Sequence, residues 1–160
     1  MTGLVIDLRD NPGGNLDTVC DILDLILPEG TIVSTKDKNG EGETYTSDEE
    51  HKLEIPLSVL TNGNSASASE IFAGAVQDYG VGTLVGTTTF GKGIVQQIFP
   101  LTDGTSIKLT ISEYFTPKGR NIHGTGIDPD VEVEYECNEE DPAADNQLEK
   151  AIEIVKGNGM

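Results

Sequence analysis

The stretch Asn64–Gln97, NSASASEIFAGAVQDYGVGTLVGTTTFGKGIVQQ, constrains the fold more than any other part of the chain. Ser65, Ser67 and Ser69 alternate with Ala66 and Ala68, so a turn of small residues opens directly into a helix. Ile71, Phe72, Ala75 and Val76 give the helix Ser69–Tyr79 an apolar side, and Gly80 suits its C-cap. Short apolar runs flank it: Leu57–Leu60, stopped by Asn62-Gly63-Asn64, and Thr83–Gly86. The same order occurs earlier. Gly3–Leu8 reads as a strand buried on both faces and ends in the turn residues Arg9–Gly14. A stripe of Leu16, Val19, Ile22, Leu23 and Ile26 follows, with Asp17 or Asn15 as cap and Pro28 and Gly30 as terminators. Strand, glycine turn, helix is the unit of an α/β domain.

The rest of the chain adds strands. Thr31–Thr35 alternates toward one, and Lys36–Glu50 reads as an exposed loop or edge hairpin about Asn39-Gly40. Gly91–Phe99 and Ile107–Phe115 read as a strand pair joined at Asp103-Gly104. Ile107, Leu109 and Ile111 alternate with Lys108, Thr110 and Ser112, which predicts one buried face and one wet one. Pro117–Asp130 is Gly/Pro-rich loop, and Gln147–Lys156 is helical with Leu148, Ala151, Ile152 and Val155 in a stripe. There is no internal repeat, and 160 residues suffice for a single domain with a core.

Composition narrows the function. A net charge of −18 repels phosphate backbones and argues against nucleic acid as a partner. Asp128–Glu149 holds ten carboxylates and no Lys or Arg, without EF-hand spacing, and reads as a solvated acidic segment. Cys20 falls on an apolar helix stripe, and neither it nor Cys137 belongs to a CxxC pair or a Cys/His cluster, which argues against zinc. No run approaches the roughly 18 apolar residues of a membrane span, and no signal peptide is evident. The chain opens two residues before a strand, so a truncated piece of a longer protein is expected.

The serine cluster invites two readings. Serine is the favoured helix N-cap, with Ser67 or Ser69 capping and Glu70 in the first turn. A serine there also has free backbone N–H groups beside it, which suit a developing oxyanion. As a nucleophile it needs a base. His51, in DEEHK, reads as a solvated surface group, and His123, in RNIHGTG, is ambiguous. Lys92 is the other choice. A lysine base must be neutral, which demands a pKa well below the usual value of about 10.4. Lys92 lies in FGKGIV, with no acidic residue from Gly80 to Leu101 in a chain otherwise crowded with acid. GTTTFGKG resembles half a phosphate loop, but Gly93 stands where that loop needs Ser or Thr.

SASASEIFAGAVQDYG followed by GTTTFGKGIVQ, with DLRDNPGG upstream, closely resembles the C-terminal processing peptidases, or tail-specific proteases, from Gly3 to about Val133. The resemblance implies a serine–lysine endopeptidase with a crotonase/ClpP-like α/β core and a hairpin-rich C-terminal part. It places the nucleophile on Ser67, the general base on Lys92 and a lysine-orienting glutamine on Gln96. It places the oxyanion-hole amides on Gly13 and Ala68, and a supporting acidic position on Asp78. On a strand Gly91–Phe99, Lys92 and Gln96 would share a face. The resemblance implies no metal or cofactor, protein or peptide substrates, a location in the periplasm or cell envelope, and a PDZ domain in the full-length chain that is absent here. Two rivals are a protein-tail-binding module that does not cut and a crotonase-like acyl-CoA enzyme.

Overall fold

Among the described residues ten glycines have positive φ angles, and they punctuate a run of short elements. The computed structural model describes residues 1–48, 50–137, 141 and 143–157. In order, the elements are β1 (Leu4–Asp7), α1 (Leu16–Asp24), β2 (Gly30–Lys36), β3 (Thr44–Ser47), β4 (Leu57–Thr61), α2 (Ala68–Tyr79), β5 (Thr83–Gly86), β6 (Ile94–Pro100), β7 (Ser106–Phe115), β8 (Val131–Glu132) and α3 (Asn146–Gly157). The class is mixed α/β, as expected.

Among the described residues there are two sheets. β1, β4, β5 and β8 form a parallel sheet in the order β1-β4-β5-β8. β3, β2, β7 and β6 form an antiparallel sheet in the order β3-β2-β7-β6. β4 is buried at every position, as a central parallel strand covered on both faces should be. Val59 and Leu84 point into the main core with α1 and α2, whereas Leu60 and Val85 meet Ala151 of α3 on the other face. α2 touches both β5 and β2, so it lies between the two sheets. That explains why Ala68 through Val76 are all buried rather than one stripe only.

Several expectations hold. Asn15 caps α1 by accepting from the Thr18 N–H at 3.0 Å, and Gly80 ends α2 with φ of 66°. The 39–40 turn joins β2 to the edge strand β3. Cys20 is buried, and burial pushes its thiol up to about 11, where the reactive thiolate is scarce at neutral pH. β1 packs side chains into both cores, but as an edge strand it is only half-buried.

Two expectations fail. The alternation in β7 does not give one buried face and one wet one, since every residue from Ser106 to Ile111 is exposed. Ile107, Leu109 and Ile111 are 43%, 49% and 40% exposed, because among the described residues nothing packs over that face of the β6–β7 hairpin. The other face, expected to be wet, ends in Tyr114, which is buried. The acidic segment is also not simply solvated. Thr88 Oγ1 donates to Asp128, and the Leu84 N–H donates to Asp130 at 2.8 Å. β8 then extends the parallel sheet beside β5. Positions 138–140 and 142 of that segment lie outside the described residues.

Asp145 ties α3 to β1. Arg9 donates to both its oxygens, to Asp7 and to Gln147 Oε1. Those hydrogen bonds hold the Asp145 carboxyl below the usual range, against burial, which pushes it up. A carboxyl lower in the folded chain contributes stability above its unfolded value of about 3.9, and this is lost as pH falls through the folded value. Arg9→Met is expected to lower the unfolding free energy by about 1.5–3 kcal/mol at pH 7, the usual range for hydrogen bonds to charged groups. Urea titrations at pH 7 and at successively lower pH below about 4 check this, since the difference from the parent should shrink as pH falls through the lowered Asp145 value.

Candidate active site

The serine turn, the Gly13-Gly14 turn and the lysine turn meet at one end of α2. A cleft of about 330 Å³ there is lined by Gly14, Ser67, Ala68, Lys92, Gln96 and Tyr114, among others. Of the three clustered serines, only Ser67 lines it. The Ser65 hydroxyl donates to the Leu8 carbonyl at 2.7 Å and the Ser69 hydroxyl to the Asn11 carbonyl at 3.1 Å, and both residues are buried.

Ser67 is the N-cap of α2 and has φ of 58° and ψ of −115°. Such a conformation costs a non-glycine residue on the order of 1–3 kcal/mol and persists only where its surroundings impose it. Here they do. The Ser67 N–H donates to Glu70 Oε2 at 2.9 Å, the reciprocal half of a capping box. The Ser67 carbonyl accepts from the Tyr114 hydroxyl at 3.0 Å. Gly13, with φ of 93°, packs against the same turn. A Cβ there would lie 2.5 Å from the Ala66 carbonyl oxygen and 2.7 Å from the Ala68 nitrogen, so only glycine fits. The Gly13 N–H itself donates to Asn11 Oδ1 at 2.9 Å.

Lys92 is half-buried. Its N–H donates to Glu70 Oε2 at 2.8 Å, and its carbonyl accepts from the Tyr114 hydroxyl at 2.6 Å. Gly91 donates to Glu70 Oε1, and the Gly124 N–H donates to the Gly91 carbonyl at 2.9 Å. The His123 loop therefore braces the lysine turn through its backbone, while the His123 side chain is exposed.

The acid-free gap around Lys92 exists only along the chain. In the fold, the buried carboxylate of Glu70 accepts from the Lys92 backbone N–H, so the Lys92 main chain is not free of acid. Lys92 and Gln96 do not lie on one strand. β6 begins at Ile94, after Lys92, and its register shifts between Val95 and Gln96. Strand alternation does not relate the two residues, although both line the cleft. Gln96 is exposed, and its amide donates to Thr110 Oγ1 at 3.4 Å.

Asp78 lies away from the cleft lining. It pairs with Arg120 and accepts from the Lys118 N–H at 2.8 Å, which pins the 117–120 turn to the end of α2. His51 is exposed beside Asp48 and Glu50. Nothing in the sequence around Tyr114 marks it, because it follows a polar alternation, and Glu70 in sequence is a helix-start residue. Its place three residues after an N-cap serine was the available signal.

The profile of peptidase family S41 matches residues 1–133. A carboxyl-terminal-processing protease of Synechocystis sp. is 46% identical over 158 residues, 97% of this chain and 37% of the relative. The carboxy-terminal processing protease CtpB of Bacillus subtilis is 45% identical over 132 residues, 82% of this chain and 28% of the relative. The solved photosystem II D1 C-terminal processing protease is similar with a TM-score of 0.79 at 36% identity, over 84% of this chain and 35% of that one. The chain thus spans roughly a third of the length of such relatives.

Proposed function

The chain belongs to peptidase family S41, and on that premise we propose that it carries the catalytic centre of a serine endopeptidase that hydrolyses peptide bonds of protein substrates. The observation that carries this reading is the convergence of Ser67 and Lys92 on one cleft, each fixed by its main chain. Ser67 Oγ attacks the scissile carbonyl while uncharged Lys92 takes its proton. The Lys92 ammonium then returns a proton to the departing amine. Water, deprotonated by Lys92, releases the acyl group from Ser67. Gln96 orients the lysine amine through its carbonyl oxygen, since its N–H is directed at Thr110. The Ala68 and Gly13 N–H groups hold the tetrahedral oxyanion, Gly13 exchanging Asn11 Oδ1 for the substrate oxygen. No metal or cofactor enters this scheme. Asp78 supports the site by bracing α2.

The resemblance extends the proposal to the whole protein: a longer polypeptide acting in the periplasm or cell envelope, with a PDZ domain that captures substrate tails by strand addition. The core would be crotonase/ClpP-like. Incubation with an intrinsically unfolded protein and, separately, with an acyl-CoA thioester tests the reading. Peptide products without thioester hydrolysis are expected. Binding of the unfolded protein without cleavage would favour a tail-binding module instead, and thioester hydrolysis would favour the acyl-CoA class.

A further inference from the structure

We propose that Glu70 and Tyr114 are positioning residues for the reaction, a paired clamp that sets the nucleophile and the base in register through their backbones. This rests on the assignment of Ser67 and Lys92 to those roles. Glu70 is 0% exposed and accepts four donors: the Ser67 N–H at 2.9 Å, the Thr89 hydroxyl at 2.6 Å, the Gly91 N–H at 2.7 Å and the Lys92 N–H at 2.8 Å. Tyr114, 2% exposed, shares its hydroxyl between the carbonyls of Ser67 and Lys92 at 3.0 and 2.6 Å. One side chain thus holds both N–H groups of the pair and the other holds both carbonyls, across 25 residues of sequence.

The chemistry of each clamp is specific. Four donors on two oxygens require a carboxylate, because an amide would set its own N–H₂ against N–H or O–H donors. The negative charge sits in the first turn of α2, where the helix dipole favours it. Burial, and then the charge of Glu70, push the Tyr114 phenol far up, so it stays a protonated donor across the working range of pH. The strained backbone of Ser67 has its N–H on one clamp and its carbonyl on the other. Releasing either lets Ser67 relax toward ordinary helix-cap geometry, which carries Oγ away from Lys92.

Glu70→Gln and Tyr114→Phe, made in the longest polypeptide that carries these 160 residues, test the proposal beside the parent and Ser67→Ala. Each is expected to lower kcat by about 100-fold, the usual consequence of a misplacement near 1 Å. KM should move by no more than about twofold, because substrate contacts are untouched. Acylation of Ser67 by a fluorophosphonate should slow in parallel with kcat. Rates are referred to the folded fraction, measured by circular dichroism. A kcat that stays at the parental value while only the melting temperature falls would overturn the clamp and leave a purely structural role, and so would a rise in KM at constant kcat. If Glu70→Gln does not fold, Tyr114→Phe decides by the same readouts. Full activity in Ser67→Ala would overturn the underlying peptidase reading instead.

Discussion

Ser67→Ala is expected to lower peptide hydrolysis by at least about 10⁴-fold while the protein remains folded. Loss of a nucleophile that works as a unit with its base typically removes most of the chemical rate enhancement. A 10⁴-fold loss corresponds to about 5.5 kcal/mol of transition-state stabilisation. Stability should fall by only about 1 kcal/mol, the usual effect of alanine at a helix N-cap, since the main-chain bonds from Ser67 to Glu70 and Tyr114 remain available. Turnover of an unfolded protein, followed by the appearance of new N-termini, checks the rate, and far-ultraviolet circular dichroism checks the fold. Ser65 and Ser69 cannot take over without surrendering their bonds to the Leu8 and Asn11 carbonyls.

Lys92→Met should cost nearly as much. It keeps the length and apolar stem of the side chain and removes the proton acceptor. Because Lys92 is fixed through its N–H and carbonyl, the contacts to Glu70 and Tyr114 survive the exchange. Stability is expected to stay within about 0.5 kcal/mol, as for most substitutions away from a packed core or buried network. The double variant with Ser67→Ala should be no slower than either single one, because two residues serving one proton transfer fail together. Additive losses, read from kcat/KM of the three variants, would show that they act independently.

Much of this was legible in the sequence because it was written in local chemistry. Turn residues after short apolar runs marked β1 and β4, and the serine cluster at a helix start marked α2. The resemblance pointed to Ser67 and Lys92, and the fold brings them to one cleft. What escaped was whatever depended on contacts far along the chain. The stretch around Lys92 is free of acid in sequence, yet Glu70, 22 residues earlier, reaches its main chain in space. The β7 alternation implied a buried apolar face, but the protein covers neither face along Ser106–Ile111, and the buried Tyr114 falls on the polar side. Acidic composition concealed β8, whose pairing with β5 is tertiary, as are the contacts of the preceding Asp130 with Leu84 and Asp128 with Thr88. Gln96 reaches the cleft for a reason that strand periodicity does not supply, since a register shift precedes it.

The claim that Ser67 is a nucleophile activated by Lys92 is met most directly by covalent labelling. A fluorophosphonate probe, followed by peptide mapping with mass spectrometry, reads out which hydroxyl becomes acylated. The account predicts a single stoichiometric adduct on Ser67, at a rate that falls at least about 100-fold in Lys92→Met, the scale of a lost general base. An adduct on another serine, or equal labelling of Ser67 in the parent and in Lys92→Met, would contradict it.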